Sequence, residues 1–263
     1  MSRIAIVTGA SSGIGEAFVR ETVKEDLDKI LIIARREDKL KALKEELSSD
    51  RIDILPADIT TREGVESLRS YLEDNDPFVG LLINCAGMGK KGNIADRDEK
   101  CLEDTLDLNC RSLSVITRMC LPRMGEGSRV INIASSAAFL PQPGFAAYAA
   151  SKAYVVSFSR ALGIELLPRR IKVTTVCPGP VVTGFQALAT DGGSAEFTGF
   201  RRFVAADPHK LAKASLKASL RGRKLFVYGL TQKLLHLASK IVPTYWIIRL
   251  EGAFMKPEYE KKD

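Results

Sequence analysis

The chain has 263 residues, 45% of them apolar and 27% charged. That is enough for one full hydrophobic core and sets it apart from disordered, collagenous and disulfide-rich chains. No apolar run approaches the ~20 residues that span a bilayer, and with a strand at residue 3 no secretory signal is expected. The net charge of +7 suits an anionic cofactor or lipid, and no basic stripe with interleaved aromatics points to nucleic acid.

Residues 4–7 read as a short buried strand running into Thr8-Gly9-Ala10-Ser11-Ser12-Gly13-Ile14-Gly15, with a helix over 13–25. Strand, glycine turn and helix start together form a pyrophosphate cradle. Glycines admit the phosphates, and the free N–H groups of the first helical turn bind them. Gly9, Ser11, Ser12, Gly13, Ile14 and Gly15 are the expected contacts. The spacing Gly-x-x-x-Gly-x-Gly differs from the commoner Gly-x-Gly-x-x-Gly.

A second strand over 29–34 ends in Ala34-Arg35-Arg36, ahead of a helix over 37–48. At this point an acid would hold a ribose 2′-hydroxyl, whereas arginine meets a 2′-phosphate. Glu37 and Asp38 fall in the first helical turn, so Arg35 and Arg36 predict NADP(H) over NAD(H). Strands at 52–56 and 80–84 flank a helix over 62–74. A single long helix is expected over 99–124, then a strand over 129–134. Ser135 follows that strand, at the carboxyl edge where ligands bind in such sheets.

The next helix, over 147–167, carries Tyr148-Ala149-Ala150-Ser151-Lys152. Residues four apart share a helix face, so phenol and ammonium stand one turn apart. An adjacent ammonium favours phenolate and is expected to lower the tyrosine pKa, suiting it to trade a proton with a carbonyl or alcohol. Ser135 would stabilise the developing oxyanion. Strands over 172–176 and 225–228 and a helix over 208–220 complete the alternation of a doubly wound parallel α/β sheet, with strand order 3-2-1-4-5-6 from the first six.

Together these residues resemble the short-chain dehydrogenase/reductase family, and the likeness runs nearly the whole chain. It implies a Rossmann-type sheet with a seventh strand. Thr8 to Gly15 match the family's cofactor turn, and Asp58, with Ile59 beside it, matches the acid at the adenine ring. Asn84-Cys85-Ala86-Gly87 matches its Asn-Ala-Gly turn, with a cysteine inserted. Asn109, Ser135 (thirteen residues before Tyr148), Tyr148 and Lys152 match its catalytic tetrad. Pro178, Gly179, Val181 and Thr183 match the segment that holds the nicotinamide carboxamide. The resemblance further implies that Lys152 holds the ribose hydroxyls, that Asn109 anchors a water chain to Lys152, and that the protein is a dimer or tetramer. One departure concerns cofactor choice: many NADP-preferring members carry a basic residue where this chain has Ser12.

The expected activity is hydride transfer between NADPH and a carbonyl or alcohol. Met88, Phe139, Leu140, Phe145 and Phe185 suggest an apolar, lipid-, steroid- or aromatic-like substrate, or are simply core. The alternatives are an NAD-preferring dehydrogenase and a non-catalytic NADPH-binding redox sensor. No metal site is expected. The five cysteines lack ligand spacing and read as reduced and buried in a cytoplasmic protein. His209 and His236 read as surface residues.

We expect residues 1–229 to form the catalytic domain, with a glycine- and phenylalanine-rich substrate loop at about 184–207 that closes as a lid. Residues 230–263 form a helical extension, broken at Pro243. In it Leu230, Leu234, Leu237, Ala238 and Ile241 recur at helical spacing, opposite Lys233, His236 and Lys240. That apolar face either docks on the subunit's own core or a partner subunit, or serves as a peripheral membrane contact through 230–255.

Overall fold

The computed structural model describes residues 2–185, 189–190, 205–243, 245–246 and 249. Most of the expected substrate loop therefore lies outside the described residues, as does the chain from 250 onward. Among the described residues the strands are β1 (Arg3–Thr8), β2 (Lys29–Ala34), β3 (Ile52–Pro56), β4 (Phe78–Asn84), β5 (Arg129–Ile133), β6 (Lys172–Pro178) and β7 (Leu225–Tyr228). They form one parallel seven-stranded sheet in the order β3-β2-β1-β4-β5-β6-β7, as expected of a Rossmann-type fold.

The helices are α1 (Gly13–Thr22), α2 (Glu37–Leu47), α3 (Arg62–Asn75), α4 (Glu99–Leu106), α5 (Leu113–Cys120), α6 (Ala146–Glu165), α7 (Pro208–Leu220) and α8 (Leu230–Ile241). The central strands are apolar at successive positions because both faces are covered. Ala5, Val7, Ile30 and Ile32 pack with Phe18, Leu40, Leu211 and Leu216 from α1, α2 and α7. Ile4, Ile6, Leu31 and Ile33 pack on the other side with Leu68, Leu72, Ile116, Met119 and Leu162 from α3, α5 and α6.

Three elements differ from the sequence reading. Helix α1 stops at Thr22, short of residue 25, because the Arg51 guanidinium takes the carbonyls of Val23, Glu25 and Leu27 as the chain turns toward β2. The single helix expected over 99–124 is interrupted by a π-helical turn, Asp107–Ser112, and closed by a 3₁₀ turn at Leu121–Arg123 that contains Pro122. Ser112 Oγ donates to the carbonyls of Asp107 and Ile59, which anchors the π turn beside the end of β3. The third is α8. Its Leu230, Leu234, Leu237 and Ile241 are 55–74% exposed, so docking of the apolar stripe on the subunit's own core does not occur. The opposite side of the helix packs instead, through residues such as Gln232 and His236.

The register sets where the chain leaves the sheet. Thr8 pairs with Ile33, Asn84 with Asn132, and Ile133 with Val176. The segments after β1, β4, β5 and β6 therefore emerge side by side at the carboxyl edge.

Candidate active site

The glycine turn joins β1 to α1 at that edge. Gly9 and Gly13 hold φ of +69° and +59°, a region other residues rarely adopt. A Cβ at Gly15 would stand 2.1 Å from the Gly9 carbonyl oxygen, so the turn closes only with glycine there. Ser12 occupies the N-cap of α1, but its side chain makes no capping bond. The first-turn N–H groups of α1 are therefore left for a ligand, and they fit the pyrophosphate of a dinucleotide.

Ser12 and Ser11 instead receive Arg36. Its Nη2 donates to Ser12 Oγ at 2.8 Å and Ser11 Oγ at 3.0 Å, which draws the guanidinium across the mouth of the turn. Arg35 lies 3.6 Å from Asp58. Burial pushes the Asp58 carboxyl up, but bonds from the Thr60 hydroxyl and N–H, with Arg35, outweigh it and hold the carboxyl below its ordinary range. Ile59 is buried in the core beneath.

Thr8, absent from the expected contacts, ties two edge segments together: its Oγ1 accepts from the Cys85 and Ala86 N–H groups. Gly87 borders both Lys152 and Asn109, since a Cβ there would lie 3.1 Å from Lys152 Nζ and 3.2 Å from Asn109 Oδ1. Asn84 faces inward, donating to Thr117 Oγ1 and Asn132 Oδ1 in a buried polar cluster under the site. From β6, Pro178 and Gly179 lead to Val181, which bridges to Ala206. Thr183 arrives over the glycine turn, where a Cβ on Gly13 would lie 3.1 Å from its methyl group.

Asn109 sits in the π turn. Its Nδ2 donates to the Met88 carbonyl and Ser151 Oγ, both at 2.8 Å, and its Oδ1 accepts from the Met88 N–H. Ser151 in turn donates to the Tyr148 carbonyl. Ser135 opens the 3₁₀ turn Ser136–Phe139 as its N-cap. Tyr148, in the first turn of α6, stacks on Phe145 at 4.3 Å between centroids and meets Phe185 at 5.6 Å. Its ring lies against Gly89, where a Cβ would come within 2.4 Å of it. Lys152 Nζ is 5.7 Å from the Tyr148 ring centre and donates to the Ile133 carbonyl. Ser135, Tyr148, Lys152 and Asn109 therefore converge at the carboxyl edge.

Protonation departs from expectation. Desolvation pushes the Tyr148 phenol up to about 12, with only the Ser135 hydroxyl working against it. Burial lowers Lys152 to about 8. The expected lowering of the tyrosine by the lysine is absent, because enclosure by the surrounding rings and backbone penalises both charged forms.

Of the apolar residues, Phe145 and Phe185 flank Tyr148, whereas Leu140 is core. Phe139 turns to His236, with ring centroids 4.1 Å apart. His236 is therefore not the surface residue its position suggested. His209 is exposed, as read. Cys120 and Cys177 are buried, but Cys85, Cys101 and Cys110 are only partly so; all five are free thiols. Among the described residues no His, Cys, Asp and Glu group could hold a metal.

The family model described as short chain dehydrogenase matches residues 3–192. An uncharacterized oxidoreductase of Staphylococcus haemolyticus (strain JCSC1435) is 32% identical over 218 residues, covering 82% of this chain and 90% of the relative. A short-chain dehydrogenase from Sphingobium yanoikuyae in complex with NADPH superposes with a TM-score of 0.76 at 25% identity, covering 99% of this chain and 97% of that one. A short chain dehydrogenase/reductase from Burkholderia phymatum in complex with NAD shares the fold, with a TM-score of 0.77 at 21% identity over 91% and 95% of the two chains. A Rossmann-type sheet, a glycine cradle and a family match over most of its length make this chain a member of the short-chain dehydrogenase family, an oxidoreductase built for a nicotinamide cofactor.

Proposed function

We propose that this enzyme transfers hydride between NADPH and a carbonyl or secondary alcohol of apolar character, with Tyr148 as general acid in reduction and base in oxidation. The observation that carries the reading is the convergence of Ser135, Tyr148, Lys152 and Asn109 beside an uncapped dinucleotide cradle.

Bound NADPH supplies the hydride. A phenol held protonated up to about pH 12 is a competent proton donor to a carbonyl oxygen. Ser135 hydrogen-bonds the same oxygen and stabilises its charge as it develops. Lys152, enclosed one helical turn away, orients the ribose and restores the proton to Tyr148. Asn109 fixes the backbone of Met88, in the segment after β4, and Ser151, and so the first turns of α6.

Arg36 supports the preference for NADP. It delivers a cation to the Ser11-Ser12 corner, where the family's NADP-preferring members place a basic residue of the turn itself. Phe145 and Phe185 around Tyr148 support an apolar substrate. We assign residues 1–229 to the catalytic domain, with a substrate loop at about 184–207, and 230–263 to its extension. Exposed Leu106, Tyr154, Ile164 and Leu167 suit a homo-oligomeric contact, and we place the protein in the cytoplasm. Among the described residues no helix is long and apolar enough to cross a membrane.

The test is purified protein with NADPH or NADH against a panel of ketones, aldehydes and quinones, reading loss of reduced-cofactor absorbance. Turnover with NADPH and an apolar carbonyl is expected. Tight NADPH binding with no turnover across the panel would instead make the protein a redox sensor.

A further inference from the structure

From the face that α8 turns outward, we infer that this enzyme docks on anionic lipid bilayers, with α8 lying in the headgroup layer. Leu230, Leu234, Leu237 and Ile241 follow the i, i+4, i+7, i+11 spacing of one stripe and are 74%, 59%, 55% and 72% exposed. The stripe points away from the body of the protein, because the opposite side of α8 is the one that packs. Gln232 there sits where a Cβ of Gly179 would be, at 2.5 Å, and His236 stacks on Phe139. The apolar surface continues beyond the helix through Val242, Tyr245 and Trp246, which are 40%, 63% and 65% exposed. Tyrosine and tryptophan have an apolar body and a polar edge, which suits the headgroup level.

Charge selects the occupant. Lys233 and Lys240 are exposed along one flank of the stripe, and Arg249 lies over the Tyr245 ring. Residues 208–250 hold nine Lys and Arg and no Asp or Glu. The whole chain has 39 basic and 32 acidic residues, so outside this stretch it has thirty against thirty-two. Of these nine, Lys233, Lys240 and Arg249 belong to the segment that bears the apolar stripe, and the other six lie between Lys210 and Lys224, on α7 and the turn to β7. A second copy of the chain brings no acid on α8 to meet these lysines, whereas an anionic headgroup layer satisfies both the charge and the apolar stripe. The inner side of the same helix abuts the Pro178-Gly179 turn and Phe139. Bound lipid would therefore lie one helix thickness, about 10 Å, from the wall of the candidate site.

Trp246 is the chain's sole tryptophan, so its emission reports on this surface alone. The full-length protein is titrated with phosphatidylcholine vesicles and with vesicles containing phosphatidylglycerol, at low and high salt, alongside co-sedimentation. A blue shift and pelleting with the anionic vesicles are expected, with both reduced by salt and weak on neutral vesicles. Leu234→Gln with Leu237→Gln should lower the bound fraction by roughly tenfold or more, since each leucine loses its burial in lipid. The pair should leave NADPH binding and turnover of a water-soluble carbonyl unchanged. Lys233→Gln with Lys240→Gln should reduce the preference for anionic over neutral vesicles, and an unchanged preference would count against these lysines as headgroup contacts. No shift and no pelleting with anionic vesicles would overturn the inference. So would self-association without lipid that the leucine pair abolishes, because the occupant would then be a second copy. The carbonyl assay is run separately, so failure of lipid binding stays distinct from failure of the proposed activity.

Discussion

Replacing Arg36 by alanine should weaken NADPH binding without weakening NADH binding. The Arg36 guanidinium is held across the glycine turn by Ser11 and Ser12, at 3.0 and 2.8 Å through Nη2. It is exposed, so no large desolvation cost offsets an ion contact. Arg35 is partly occupied by Asp58 at 3.6 Å and contributes less. A charge-assisted hydrogen bond contributes about 1.5–3 kcal/mol, which corresponds to roughly ten- to over a hundredfold in affinity. Screening of an exposed contact in physiological salt, where the Debye length is about 8 Å, favours the lower half of that range. Titration of cofactor fluorescence should therefore show a loss near tenfold for Arg36→Ala with NADPH and a smaller one for Arg35→Ala. Arg36→Lys keeps the charge but not the fork, and should fall between wild type and Arg36→Ala. NADH is the control for the turn itself: if Arg36 only stiffened Ser11-Ser12, both cofactors would weaken alike. Equal losses for the two cofactors, or none for NADPH, would refute the assignment.

Tyr148→Phe should retain cofactor binding and lose turnover by on the order of 10² to 10⁴, because the ring still packs on Phe145 while the acid is gone. Ser135→Ala should cost a similar factor in kcat through the lost bond to the oxyanion. Burial makes Lys152 an ammonium below about pH 8 and neutral above it. NADPH affinity, measured from pH 7 to 9.5, should fall as pH rises through that value, with binding accompanied by proton uptake. Lys152→Met should flatten the profile, and a flat profile in the unmodified protein counts against the role. The same residue sets a stability trend. Its folded value lies below the ordinary 10.5, so its buried charge destabilises the fold in full below pH 8, and that cost is relieved between about 8 and 10.5. Gly15→Ala should destabilise the protein by roughly 1–3 kcal/mol or more in urea unfolding, since its Cβ meets the Gly9 carbonyl.

The strands and their parallel order were legible in the chain because burial on both faces imposes continuous apolar runs at 4–7, 29–34 and 80–84, and short periodicity survives without tertiary information. The glycine turn and the Tyr148–Lys152 pair were legible for a related reason: backbone conformation and helical spacing act over a few residues. Asn109 was located by its match to the family pattern. The π turn that carries it was not, because that turn depends on Ser112 reaching the Ile59 carbonyl 53 residues away. The protonation states also waited on the fold. Spacing puts the ammonium near the phenol, but only the packed environment determines that desolvation outweighs their attraction. The same division governs α8. Its apolar stripe is written in the spacing of Leu230, Leu234, Leu237 and Ile241, and an apolar stripe ordinarily turns inward. Which way it turns depends on what the rest of the molecule offers. Here Gly179 and Phe139 accept Gln232 and His236, and the stripe is left facing outward.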